Sequence, residues 1–298
     1  MRGVKGFLGG PHWAVRVPGT DALRVWERLR AEAALTGYWP LIIGNYGGPE
    51  CGGSDEAIKS LAESAREVPE LPTEELEFLG LKRTPQETLD AASACPFECW
   101  AELQRDPDFQ VRDHLRKAAY FDRFPGAASI AQLHRDTAER WRNQTRWVFR
   151  PENYSVPPKD NHSPPQQELH CITYHDSASR KTVIAESVSV LLVPTPHGWE
   201  APAYLSYTTK ENERLPQVHV AALKWLHERF GAELVGLEDR VLEVVPQARP
   251  ATANDALRAA ALLTAYSGCT VTSENELTTI PELALYLMES PYWTFCWP

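Results

Sequence analysis

The feature that most constrains this chain is a helix that a glycine stops and a strand follows. From Pro216 it places Val218, Ala221, Ala222, Trp225, Leu226 and Phe230 at three- and four-residue spacing, then reaches Gly231. That spacing lines one face of an α-helix. Glycine adopts the left-handed conformation that ends a helix without steric cost. Glu233-Leu234-Val235 then begins a buried strand pair ending at Arg249-Pro250. Two further helices and an aromatic strand through Trp293, Phe295 and Trp297 complete the C-terminus.

Upstream the signals are mostly helical. Thr20-Asp21 followed by Leu23, Trp26, Leu29 and Ala33 predicts one helix over Thr20–Thr36, stopped by Gly37. Tyr38–Ile43 reads as a strand with Pro40 near its start. Asn45–Ser54 is a glycine-rich loop, and residues 50–90 carry eleven acidic and four basic side chains. Helical pieces are expected at Ser54–Arg66 and Thr73–Leu79. Thr84-Pro85-Gln86-Glu87 is a capping box for a helix ending near Cys95-Pro96. Helices continue to about Arg146. Leu169–His175, Val183–Val193 and Ala201–Tyr207 read as strands.

These elements predict an α+β fold: a mixed sheet flanked by helices, with a largely helical insertion in the N-terminal half. The expected division is a helix-strand unit plus helical region over 1–149, a proline-rich linker or long loop over 150–168, and a C-terminal α/β domain over 169–298. Thirty basic and forty acidic residues give a net charge of −10, which opposes nonspecific binding to nucleic acid or an anionic membrane. No apolar run approaches the roughly 18 residues of a membrane span, and no export signal is visible. A cytoplasmic location is expected. Six cysteines are too sparse for a disulfide framework and are expected reduced.

From Pro216 onward the order of residues resembles the bacterial domain of unknown function 4253 family. The resemblance rests on Trp225 and Glu228, Phe230-Gly231-Ala232-Glu233-Leu234-Val235, Leu242-Glu243, Arg249-Pro250, Ala256, Ala260, Tyr266, Cys269, Trp293, Phe295 and Trp297. Trp26–Pro40 looks like the N-terminal portion of longer members. The resemblance implies a fold and a bacterial origin, and it carries no established activity. Where members often have an aspartate after the Tyr-x-x-Cys cysteine, this chain has Thr270; where they often end in Trp-Trp-Asp, it has Cys296-Trp297-Pro298.

Candidate sites are few. Gly47–Ser54 has the glycine spacing of a phosphate loop, but Gly53 replaces the lysine that would meet the phosphates. Cys171 and His175, with His170 beside them, would share one strand face, but no third and fourth ligand is evident, and Pro96 interrupts the Cys95/Cys99 spacing, so neither a metal nor a cofactor is expected. Cys269 is the candidate nucleophile, with His219 or His227 as its base. Arg140, Trp141, Arg142, Arg146 and Trp147 interleave guanidinium with indole, a pattern that can bind phosphates and stack bases. The small basic excess around them points to a solvated helix face.

No coherent catalytic set emerges, whereas ten tryptophans and an acidic surface suit recognition of another protein. The leading expectation is a non-enzymatic binding protein, immunity-type or accessory, acting on a basic protein partner. The alternatives are an intracellular hydrolase or transferase with a Cys/His site in an inter-lobe cleft, and a nucleic-acid-associated factor using Arg140–Arg150.

Overall fold

The computed structural model describes residues 1–44, 53–67, 73–144, 149–157, 169–176, 179, 181–208, 215–238, 241–267, 270–272, 275–277 and 279–297. In chain order the strands are β1 (Arg2–Val4), β2 (His12–Pro18), β3 (Trp39–Ile43), β4 (Thr173–Asp176), β5 (Lys181–Ile184), β6 (Ser187–Val193), β7 (Glu233–Leu237), β8 (Val241–Val245), β9 (Thr270–Thr272), β10 (Asn275–Leu277) and β11 (Trp293–Cys296). Among the described residues they form a seven-stranded sheet of order β1-β2-β6-β3-β7-β8-β11 and the two-stranded pairs β4-β5 and β9-β10. The β3–β7 pair is parallel, with Ile42 opposite Gly236, and the other neighbours in the large sheet are antiparallel.

The helices are α1 (Ala22–Ala31), α2 (Ala33–Thr36), α3 (Gly53–Glu67), α4 (Thr73–Leu79), α5 (Pro85–Ala94), α6 (Phe97–Leu103), α7 (Pro107–Phe121), α8 (Ala128–Arg142), α9 (Ala201–Leu205), α10 (Pro216–Phe230), α11 (Ala253–Tyr266) and α12 (Ile280–Glu289). The fold is α+β, with α3 to α8 inserted between β3 and β4. β3 itself lies between β6 and β7, so one sheet runs across the expected 149/169 boundary.

The sheet is covered on both faces. Leu41, Ile43, Leu191, Val193, Leu242, Val244, Trp293 and Phe295 face a core shared with α9, α10, α11 and α12. Ile42, Val188, Val190 and Val235 face a second core with Trp26 of α1, Leu169 and Cys171. This alternation follows the period of two along a strand. Buried indoles also need a partner for their N–H. Trp26 donates to the Pro40 carbonyl at 3.0 Å and Trp39 to the Leu234 carbonyl at 2.9 Å, which ties α1 and β7 to the central strand.

Several elements depart from the sequence reading. The helix expected over Thr20–Thr36 is broken at Glu32 into α1 and α2, and Gly37 ends α2 with φ of 72°. Ala201–Tyr207 is helix α9, not a strand: Pro202 stands in its first turn and Ser206 ends it in the left-handed region. Val183–Val193 is two strands, β5 and β6, because the chain leaves one sheet and enters another at Ala185-Glu186. Leu169–His175 begins as a 3-10 turn over His170–Ile172 before β4. Helix α8 ends at Arg142, short of the expected Arg146.

Candidate functional site

The sequence candidates are scattered. Cys269, Arg146, Trp147 and the Gly47–Gly52 part of the glycine loop lie outside the described residues. Ser54, at the end of that loop, is buried and donates to Ser189 Oγ at 3.1 Å. His219 is buried and shares a 2.6 Å hydrogen bond with the Tyr266 hydroxyl, with the Trp297 ring edge-on to it. His227 is exposed on the same helix. Eight residues of helix separate the two by about 12 Å along the axis, so they cannot serve one proton transfer. Cys171 is not on a strand with His175 but in the 3-10 turn, where burial and the neighbouring Glu243 push its thiol well up, away from thiolate chemistry. Among the described residues Cys95, Cys99, Cys171 and Cys296 form no disulfide. Among the described residues no three His, Cys, Asp or Glu side chains converge on a metal position.

Arg140, Trp141 and Arg142 close helix α8, the second arm of a helical hairpin with α7. Asp106 caps α7 by accepting from the Asp108 and Phe109 amides, and Pro107 fills its first turn. The two helices pack chiefly on one another. Buried Ala118, Ala131 and Ala138 let their backbones approach. Between them His114 Nδ1 and His134 Nδ1 lie 3.0 Å apart, and the Phe121 ring stacks on His134 at 5.6 Å. Burial and the nearby Lys117 charge hold both imidazoles below their ordinary pKa.

The charges of this arm are largely paired. Asp113 accepts from Arg116 and Lys117, Asp122 from Arg135, and Glu139 from Arg142, while Arg123 reaches Glu74 of α4 at 2.8 Å. Arg140 donates to Thr137 on its own helix. Apolar side chains are also left open. Phe124, Ile130 and Leu133 are 46%, 43% and 59% exposed, and the Phe124 ring meets Tyr120 at 5.2 Å beside the tip. Isolated exposed apolar side chains are ordinary, but three of them within ten residues at one helix junction make a candidate contact surface.

Comparison with known families bears on the other half of the molecule. Residues 189–298 match the family described as Domain of unknown function (DUF4253). The C-terminal part of the chain carries this domain. Neither the curated proteins nor the solved structures gave a match. The DUF4253 part contributes β6 from Ser189 onward, β7, β8, β11 and α9 to α12, and takes its central strand β3 from outside the match. The α7–α8 hairpin lies wholly outside it.

Inside the DUF4253 part the structure reveals a group that the sequence reading did not assemble. Glu243, on β8, accepts the His170 amide at 2.8 Å and the Thr294 hydroxyl at 3.0 Å through one oxygen, and the Cys171 amide at 2.7 Å through the other. Glu238, just past β7, is 3% exposed, and among the described residues neither of its carboxyl oxygens has a hydrogen-bond partner. Burial first, and the Glu243 charge second, push its carboxyl well above the ordinary range. Both carboxyls are sealed from solvent. The arrangement joins the 3-10 turn to β8 and β11 and leaves no opening for a substrate among the described residues. No helix of the described residues is long and apolar enough to cross a membrane.

Proposed function

We propose that this is a non-enzymatic binding protein that engages another protein through the tip of the α7–α8 hairpin. The observation that carries the reading is the exposure of Phe124, Ile130 and Leu133 on an arm whose charges are mostly paired within the molecule. Aromatic and aliphatic anchors of this kind supply the centre of protein interfaces. The net charge of −10 favours a basic partner by steering its approach, even though the tip itself makes apolar contact.

Photocrosslinking in the native host tests the proposal. A photoreactive residue at Ile130 is expected to trap one protein reproducibly, and Leu133→Asp with Phe124→Asp is expected to abolish the product while helix content stays unchanged. A basic partner also predicts an association rate that falls with added salt. The reading fails if no product forms, or if the product persists undiminished in the double aspartate variant.

A further inference from the structure

A cleft of about 540 Å³ opens between the end of α6, Phe149, α10 and α11. It is separate from the hairpin tip and combines three guanidinium groups, Arg105, Arg229 and Arg258, with two carboxylates and an apolar wall of Trp225 and Phe149. Its size falls within the roughly 300–1,000 Å³ of small-molecule sites. Among the described residues neither cysteine nor histidine lines it, so it does not supply the Cys/His pair that the enzyme alternative would need.

The charges divide unequally. Glu98 accepts the Trp225 indole N–H at 3.0 Å, which fixes that ring in the wall. Glu102 faces Arg105, whose guanidinium is buried enough that desolvation lowers its pKa against the pull of Glu102. Arg229 lies 5.9 Å from the Trp225 ring centroid and approaches Asp255 only to 3.7 Å. Arg258 is exposed, and among the described residues it forms no hydrogen bond or ion pair. Arg229 and Arg258 therefore present donor capacity that the protein itself does not use. A planar guanidinium is the side chain best matched to a carboxylate or phosphate.

We propose that this cleft binds a small molecule whose anionic group, carboxylate or phosphate, lies between Arg229 and Arg258 while a ring or other apolar body rests against Trp225 and Phe149. Trp225, Arg229 and Arg258 belong to the DUF4253 part, and Arg105 and Phe149 come from outside it. The two guanidinium groups proposed to hold the anion thus lie in the matched part, and the apolar wall combines Trp225 of that part with Phe149 from outside it.

Calorimetric titration of the full chain with phenyl phosphate, benzoate and uncharged benzyl alcohol tests the site. At least one anion is expected to bind at least tenfold more tightly than benzyl alcohol. Arg258→Ala is expected to weaken that anion about tenfold or more, the worth of one charge-assisted hydrogen-bond pair. Arg258→Lys should recover part of the loss, and because Arg258 is exposed, its urea midpoint should not move. Preference for phenyl phosphate assigns a phosphate ligand, and preference for benzoate a carboxylate. No binding of either anion at about 10 mM, well beyond the millimolar weakness of a fragment-sized ligand, overturns the proposal. So does an affinity that Arg258→Ala and Arg229→Ala both leave unchanged.

Discussion

The amide of Cys171 donates to the carboxyl of Glu243 across 72 residues of sequence, at 2.7 Å. The same carboxyl holds the His170 amide and the Thr294 hydroxyl, so one side chain on β8 anchors the 3-10 turn on one side and β11 on the other. Gly236, directly opposite Glu243 on β7, completes the fit: a Cβ there would lie 2.6 Å from Cys171 Sγ. Glu243→Gln keeps the shape but turns one acceptor into an NH₂ donor facing an amide N–H. Leaving buried donors unpaired costs about 2–3 kcal/mol. Urea denaturation should show a loss of that size with an unchanged slope, and a loss below about 0.5 kcal/mol would refute the clamp.

Glu238 should make the fold sensitive to alkali. Its side chain runs against the backbone of Gly44 at the end of β3, where it is buried, and its pKa is raised well above the unfolded value near 4.5. The folded state therefore holds the proton more tightly than the unfolded chain. The stabilisation is complete below the unfolded pKa and declines as pH rises through the folded one. Glu238→Gln should remove this slope and match or exceed the wild type at pH 8. Parallel urea midpoints for the two proteins across pH 5–8 would show that Glu238 ionises freely in the fold.

Much of the fold was legible because its signals are local. Thr84 accepts from Glu87 while Glu87 reaches back to Thr84, the reciprocal cap that the spacing foretold, and Thr73–Leu79 forms over the expected residues. What failed was short or non-local. Ala201–Leu205 is too brief for its apolar run to distinguish helix from strand, and only the left-handed Ser206 settles it. The split of Val183–Val193 depends on β5 pairing with β4 and β6 with β2 and β3, which no single segment encodes. The sites were harder still. Glu243 meets partners 51 to 73 residues away, and the arginine cleft draws on several separate stretches. The helices of the hairpin could be read from the sequence, but the exposure of Leu133 depends on what does not pack against it.

Gly231 is the residue on which the end of α10 turns. It ends α10 with φ of 58°, and its amide donates to the His227 carbonyl at 2.8 Å. A Cβ there would meet Gln247 at 2.9 Å. Gly231→Ala combines left-handed strain with that close approach and should cost about 1–2 kcal/mol. Thermal unfolding monitored by far-UV circular dichroism would register it as a lower midpoint with native helix content at 20 °C; an unchanged midpoint would mean the helix end relaxes freely.

The His114–His134 pair predicts that the hairpin loosens in acid. With the two Nδ1 atoms 3.0 Å apart, one ring donates and the other accepts, and a further proton would set two donors against each other. Lys117 and, at His114, Arg140 add repulsion, which Asp113 only partly offsets. Both folded pKa values lie below the unfolded value near 6.5, so the stabilisation is present above 6.5 and is lost as pH falls through the folded values. NMR titration should place both imidazoles below 6.5, and hydrogen exchange across residues 107–142 should quicken between pH 7 and 5 beyond its intrinsic pH dependence. In His114→Gln, which donates and accepts without titrating, that excess should largely vanish. An imidazole titrating at or above 6.5, or an excess that His114→Gln leaves intact, would show that this pair does not govern the arm.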